Sequence, residues 1–225
     1  MIEKRNRTIP GPKQALFAQF ALVAKTLGHP QRLELIEQLA QGPRSVELLA
    51  DKVGLPIANA SQHLQHLRRA GIVTAERQGK FVVYRLADPA VLLVLGALRS
   101  VAENNLAEVD RIVRGYFDKR DSLEPVSRAE LAQRMKDGLV TVLDVRPPDE
   151  FALGHVPGAT NMPLSEIDNR LSELRLDQGI VAYCRGAYCV LSYEAVADLR
   201  SKGFRARRLE DGMPEWMAAG LPVEA

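Results

Sequence analysis

The sequence predicts two domains: a mainly α first half that closes with a β-hairpin and a long helix, and an α/β second half with a mostly parallel sheet. Three observations predict this. The apolar rhythm changes from spacings of three and four to alternating strand and helix near residue 120. Charge divides at the same place: residues 1–120 hold 18 Lys/Arg against 11 Asp/Glu, and residues 121–225 hold 12 against 17. The polar run Asp118-Lys-Arg-Asp-Ser-Leu-Glu-Pro125 lies between them as a hinge. The expected domains are therefore 1–120 and 121–225, and a length of 225 residues suits two small domains.

In the first half, Leu16, Phe17, Phe20, Val23, Ala24 and Leu27 mark an amphipathic helix that ends near Gly28. Pro30 opens a second helix carrying Leu33, Leu35, Ile36 and Leu39, which Gly42-Pro43 breaks. Ser45 is a candidate N-cap for a third. After Gly54, a fourth helix spans 56–70 and stops at Gly71. Residues 72–78 and 81–86 hinge about Gln78-Gly79-Lys80 as a hairpin, and one long helix is expected over 89–117. In the second half, 139–145 and 180–183 read as buried strands and 206–209 as a further one, with helices over 129–137, 150–153, 167–174 and 190–202.

Composition narrows the function. Hydrophobic residues make up 46% and charged residues 26%, the balance of a packed globular chain rather than a disordered one. The longest apolar run, Ala90–Leu98, is too short to span a bilayer, and the first ten residues lack the apolar core of a secretory signal, so a cytoplasmic protein without a membrane partner is expected. The two cysteines, Cys184 and Cys189, lie five positions apart, a pair expected to be reactive rather than structural in that compartment.

Two short helices about a glycine turn, followed by a hairpin, describe a winged helix-turn-helix, and the basic charge of this half points to a polyanion. In the candidate recognition helix, Ile57, Ala60, Leu64 and Leu67 form one stripe that must face the core. Gln62 lies almost opposite it, flanked by Ala58, Asn59, Gln65, His66 and Arg69. Asn59, Ser61, Gln62, His63, Gln65 and Arg69 are the candidate DNA contacts, since short amides and hydroxyls can meet base edges. Arg77, Lys80 and Arg85 on the hairpin are placed to neutralise phosphates. A helical bundle with a merely solvated polar face is the alternative.

The segments Leu27-Gly-His-Pro-Gln-Arg-Leu33 and Ala60-Ser-Gln-His-Leu-Gln-His-Leu-Arg-Arg-Ala-Gly-Ile-Val73 resemble ArsR-type repressors. The resemblance covers about residues 13–115. It implies a homodimer, held by the first and last helices, on a near-palindromic double-stranded DNA operator. The stripe Val91, Leu92, Leu95, Leu98 and Val101 fits such a seam or a helix packed on its own domain. Metal sensing is not expected: the helix before recognition lacks cysteine and the last helix lacks histidine. His63 and His66 supply only two ligands, and Glu103, Glu108 and Asp110 read as solvated carboxylates.

In the second half Cys184 follows a buried strand and Val190 begins a helix, with Cys184-Arg-Gly-Ala-Tyr-Cys189 between them. Converging loop amides, the helix dipole and the Arg185 charge all favour thiolate over thiol, and Gly186 is expected to let the backbone curl without a Cβ clash. Buried, inert cysteines are the alternative. Leu143-Asp-Val-Arg-Pro-Pro-Asp-Glu-Phe151, Gly154-His-Val-Pro-Gly-Ala-Thr-Asn-Met-Pro-Leu164 and the pattern Leu209-Glu-Asp-Gly212, Glu215-Trp216, Gly220-Leu-Pro-Val223 resemble rhodanese domains over residues 126–225.

That resemblance implies sulfurtransferase chemistry needing no cofactor. Cys184 is the nucleophile that becomes a persulfide, and the amides of Arg185, Gly186, Ala187, Tyr188 and Cys189 hold the sulfur anions of thiosulfate, polysulfide or a small persulfide. Asp144 and Arg146 brace the loop or form an internal ion pair. Two departures stand out: the glycine sits two positions after the cysteine rather than three, and the sixth loop position is Cys189, a possible resolving thiol. The leading reading is a DNA-binding transcriptional repressor whose rhodanese-like half senses or transfers sulfane sulfur. A sulfurtransferase tethered to a DNA-binding dimer and an arsenite-responsive repressor using the cysteine pair remain open.

Overall fold

A computed structural model describes residues 11–121 and 124–225. Residues 1–10, on which the expected absence of a secretory signal falls, and Ser122 and Leu123 of the expected hinge lie outside the described residues. The described residues pack as two compact units: those up to Leu39 with Pro43–Asp88, and Ala40–Gly42 with those from Pro89 onward. This division describes packing within one chain. The 1–120 and 121–225 division expected from sequence groups the helix after the hairpin with the first half, whereas packing within the chain groups it with the second.

The first unit is a helix-turn-helix with a wing. Helix α1 (Pro12–Leu27) starts with proline at its first turn and buries only Thr26 and Leu27, leaving Leu16, Phe17, Phe20 and Val23 exposed. Helix α2 (Pro30–Ala40) contributes Leu35, Ile36 and Leu39 to the core. Strand β1 (Arg44–Ser45), which the sequence did not signal, pairs antiparallel with the wing. Ser45 caps α3 (Val46–Lys52), its hydroxyl accepting from the Leu48 N–H at 3.3 Å. Ser45→Ala is expected to lower stability by about 1 kcal/mol in a denaturant titration.

Helix α4 (Ile57–Arg69) buries Ala60, Leu64 and Leu67 completely. Ile57 departs from expectation. It is 55% exposed because it occupies the first helical position, beyond the edge of the packed face. Strands β2 (Val73–Gln78) and β3 (Phe81–Leu86) pair from Val73↔Leu86 to Gln78↔Phe81, leaving the two-residue loop Gly79-Lys80. Gly79 has φ +60°, the left-handed conformation that a tight hairpin needs at its first loop position.

The expected single helix over 89–117 is broken. Helix α5 (Ala90–Asn105) ends at Leu106, whose extended backbone starts α6 (Ala107–Ile112), and a π-helical turn follows over Val113–Phe117. The two arms bend by 86°. Asn104 and Asn105 are weak helix formers, and the Asn105 side chain donates to the Val101 carbonyl at 2.8 Å, within the last turn before the break. No single helix among the described residues is long and apolar enough to cross a membrane. The expected hinge is anchored at Asp121, which is buried and paired with Arg200 at 2.7 Å and Arg208 at 3.5 Å.

Beyond it lies a parallel four-stranded sheet, order β5-β4-β6-β7, formed by β4 (Val140–Asp144), β5 (Thr160–Asn161), β6 (Gly179–Tyr183) and β7 (Ala206–Arg208). Strand alternation splits its core. Leu143, Ile180, Ala182 and Cys184 pack with Ala195, Val196 and Leu199 of α10 (Val190–Ser201). Val142, Val181 and Tyr183 pack with Leu131 of α7 (Arg128–Lys136) and with Met213 and Trp216 of α11 (Met213–Ala218). Short turns α8 (Pro148–Phe151) and α9 (Ile167–Arg170) complete the connections. Strand β5 and helix α11, both very short, were not expected from the sequence.

Candidate functional site

The second unit brings its chemistry to the carboxyl ends of β4 and β6, where the chain leaves the sheet in a loop before α10. Cys184 prolongs β6 into the apolar core and Cys189 occupies the N-cap position of α10. The two are joined by a disulfide, with Cα atoms 6.1 Å apart, and are only 1% and 8% exposed. This is the oxidised form of the pair. The amide cradle expected around a free Cys184 thiolate concerns the reduced form.

Between the cysteines, Arg185, Gly186, Ala187 and Tyr188 are half-buried, and among the described residues none of their backbone N–H groups donates a hydrogen bond. The Cys189 N–H donates to the Gly186 carbonyl at 3.1 Å. Arg185 does not offer a free charge to the sulfurs. Its guanidinium is held bidentately by Glu150 of α8, at 2.8 and 2.9 Å, and Glu150 is fully buried. Asp144 and Arg146 form a buried ion pair at 2.5 Å, and Arg146 also donates to the Gly154 carbonyl at 2.7 Å. Of the two roles expected for them, the internal pair describes their geometry.

Gly186 was expected to prevent a Cβ clash, yet a Cβ there would meet nothing nearer than Glu215 Oε1 at 3.9 Å. The glycine that the loop requires is Gly212. A Cβ on it would fall 2.3 Å from the Arg185 carbonyl carbon and the Gly186 nitrogen. The next residue, Met213, donates its N–H to the Cys184 carbonyl at 3.0 Å, so the start of α11 clasps the loop.

The Tyr188 hydroxyl donates to Glu103 of α5 at 2.6 Å, and its ring lies 5.1 Å from that of Phe117. Burial, followed by the Glu103 carboxylate, holds the Tyr188 phenol above its ordinary pKa. Tyr183 is likewise raised by burial and then by Asp144, while its hydroxyl accepts from the Val156 N–H at 3.0 Å. Both phenols therefore stay protonated at neutral pH. Sequence reading missed the roles of Glu150, Gly212 and Glu103. The first two lie inside motifs it had already quoted, but nothing local reveals partners 35 or 85 positions away.

In the first unit, Asn59, Gln62, Gln65 and Arg69 are exposed on α4, as are Arg77 and Lys80 on the wing. Ser61, Gln65, Arg68 and Arg69 line one groove with Val82 and Tyr84 of β3, and Arg68 is an addition to the expected set. Arg77 donates to the Gly79 carbonyl at 3.2 Å, and Lys80 lies 5.1 Å from the Phe81 ring. His63 turns partly inward: its ring is 4.6 Å from that of His29, and its Nδ1 is buried without a hydrogen-bond partner among the described residues. Burial, then His29, Arg32 and His66, holds its pKa below the ordinary value. No group of three or more His, Cys, Asp or Glu placed to hold a metal ion occurs among the described residues.

Residues 127–219 match the family described as Rhodanese-like domain, and residues 27–76 match that described as Helix-turn-helix domain. The HTH-type transcriptional regulator Rv0324 of Mycobacterium tuberculosis is 43% identical over 212 residues, covering 94% of this chain and 93% of that protein. A sulfurtransferase of Allochromatium vinosum is 36% identical over 102 residues, covering 44% of this chain and 94% of its own length. The homodimeric winged helix-turn-helix DNA-binding domain of Mb0332 from Mycobacterium bovis, a possible ArsR-family regulator, has 36% identity and a TM-score of 0.41, and covers 44% of this chain and 92% of that one.

Proposed function

The chain belongs to the ArsR-type HTH transcriptional regulators that carry a C-terminal rhodanese-like domain, and from that premise we propose that it is a cytoplasmic, homodimeric repressor that senses sulfane sulfur through Cys184. One observation carries the reading: two cysteines lie within bonding reach of each other in a loop whose four intervening N–H groups are unpaired among the described residues. Such amides favour an anion, whether the Cys184 thiolate or the terminal sulfur of a donor. The uncovered apolar residues of α1 and α5, among them Phe17, Phe20, Leu98 and Val101, support the dimer. The exposed amides and arginines of α4 support the operator contact.

In the proposed chemistry the Cys184 thiolate attacks the outer sulfur of thiosulfate, a polysulfide or a small persulfide. The donor's S–S bond breaks, sulfite or a thiolate leaves with the electron pair, and Cys184 carries a persulfide. The Cys189 thiolate then attacks Cys184 Sγ. The bond to the terminal sulfur breaks, hydrosulfide departs, and the disulfide remains. The donor's sulfane sulfur is reduced to sulfide as the two thiols are oxidised. A loop that stops at the disulfide reports exposure to sulfur instead of turning it over.

Electrophoretic mobility shifts on the DNA upstream of the protein's own coding region test this. Polysulfide is expected to weaken binding roughly 5- to 150-fold, the usual range of coupling between sites. Dithiothreitol reverses the loss, and Cys184→Ser abolishes it. Operator affinity unmoved by polysulfide, together with thiosulfate turnover in the presence of cyanide, would establish the tethered sulfurtransferase instead. An arsenite response that Cys189→Ser removes would establish the arsenite trap.

A further inference from the structure

Glu103 belongs to a group of α5–α6 carboxylates that read as solvated in the sequence, yet it is tied to the cysteine loop. It accepts the Tyr188 hydroxyl at 2.6 Å, while Arg99, one turn earlier on α5, lies 3.8 Å from it. Arg99 in turn reaches Asp211 and Glu215, both at 3.5 Å. Those two acids flank Gly212, the residue whose backbone packs on the Arg185–Gly186 peptide. Helix α5 therefore touches both walls of the loop: Tyr188 from within it, and the start of α11 that clasps it.

Tyr188 is bonded directly to Cys189. Making or breaking the Cys184–Cys189 bond adds or removes a covalent restraint between the two ends of the 185–188 segment, of which Tyr188 is the last residue. Phe117, which lies 5.1 Å from the Tyr188 ring and 4.8 Å from that of Tyr193, limits where the tyrosine ring can go. We propose that Glu103 is the positioning residue through which the sulfur state of the Cys184–Cys189 pair is passed to helix α5, by way of the Tyr188 hydroxyl. The inference rests on the sensing function proposed above. Helix α5 follows the wing directly in the chain, after Ala87–Pro89, and carries the apolar residues assigned to the dimer. A state-dependent pull on its last turn thus biases the dimer, which is the differential contact that a switch requires.

Two readouts on the full chain test this. In hydrogen–deuterium exchange, residues 90–105 of the disulfide form are expected to exchange differently from those of the dithiothreitol-reduced form. Glu103→Ala removes that difference. Glu103→Gln keeps an acceptor for the tyrosine and retains the difference, although it loses the charge that faces Arg99.

In mobility shifts, polysulfide weakens wild-type operator binding. Glu103→Ala cuts that response by about tenfold, the worth of one hydrogen bond to a charged group. Mass spectrometry shows the same Cys184 modification in both proteins. A Glu103→Ala chain that is modified and responds like wild type, or that keeps the exchange difference, overturns the inference while leaving the sensing reading intact. A wild-type chain that polysulfide does not modify overturns the sensing reading, and the exchange comparison, which needs only the disulfide and its reduction, still decides the relay.

Discussion

Asp144→Ala is expected to destabilise the rhodanese-like unit by about 3–5 kcal/mol, because it leaves a buried guanidinium without its counter-charge. Arg146 is 1% exposed and Asp144 is fully buried. The carboxylate accepts from the Arg146 Nε and terminal nitrogen, and from its backbone N–H at 2.9 Å. Truncation removes all of these at once, whereas the remaining bonds to the Gly154 carbonyl and to Gln41 Oε1, both uncharged, cannot neutralise the charge. Urea unfolding of the variant measures the loss. The double variant Asp144→Ala/Arg146→Met separates the causes: if an orphaned charge is responsible, it recovers much of the stability, since an apolar side chain of similar length tolerates burial. A double variant as unstable as the single one would place the cost in lost packing instead.

Gly212→Ala is expected to disrupt the cysteine loop more than any other single methyl group added to it. The new Cβ would lie 2.3 Å from backbone atoms of Arg185 and Gly186, and backbone cannot swing aside as a flexible side chain does. Either the loop or the start of α11 must shift, at a cost of about 1–3 kcal/mol. The shift falls on the residues joining Cys184 to Cys189. Disulfide formation and persulfide transfer are therefore expected to slow together, as read by thiol titration and by mass spectrometry of the polysulfide-treated protein. Gly186→Ala provides the contrast, because its Cβ finds open space out to Glu215 Oε1 and it should cost far less stability. Equal effects from the two alanines would refute the steric account.

Much of this architecture is legible residue by residue. The Ser45 cap, the stops at Gly28 and Gly71 and the Gly79 hairpin depend on neighbours within four positions, so chain order reveals them. The same holds for the buried stripe Ala60, Leu64 and Leu67, whose period is that of the helix itself. The break after Asn105 escaped because apolar residues continue on both sides of it. Ile57 escaped because periodicity tells which face a residue takes but not where the core ends. Strands β1 and β5, at two residues each, are too short to carry any alternation.

The chemistry divides along the same line. By itself the sequence determined the two-part organisation, the family resemblances, and the presence of a cysteine pair in a strand-to-helix loop, because motif, spacing and short-range periodicity are written in consecutive residues. Only the tertiary structure decided what each charge faces. It joined Arg185 to Glu150, Asp144 to Arg146 and Tyr188 to Glu103, and set Gly212 against the loop backbone. Electrostatic and steric effects act over a few ångströms of space, and three of those four contacts join residues at least 26 positions apart, a separation at which chain order says nothing about distance.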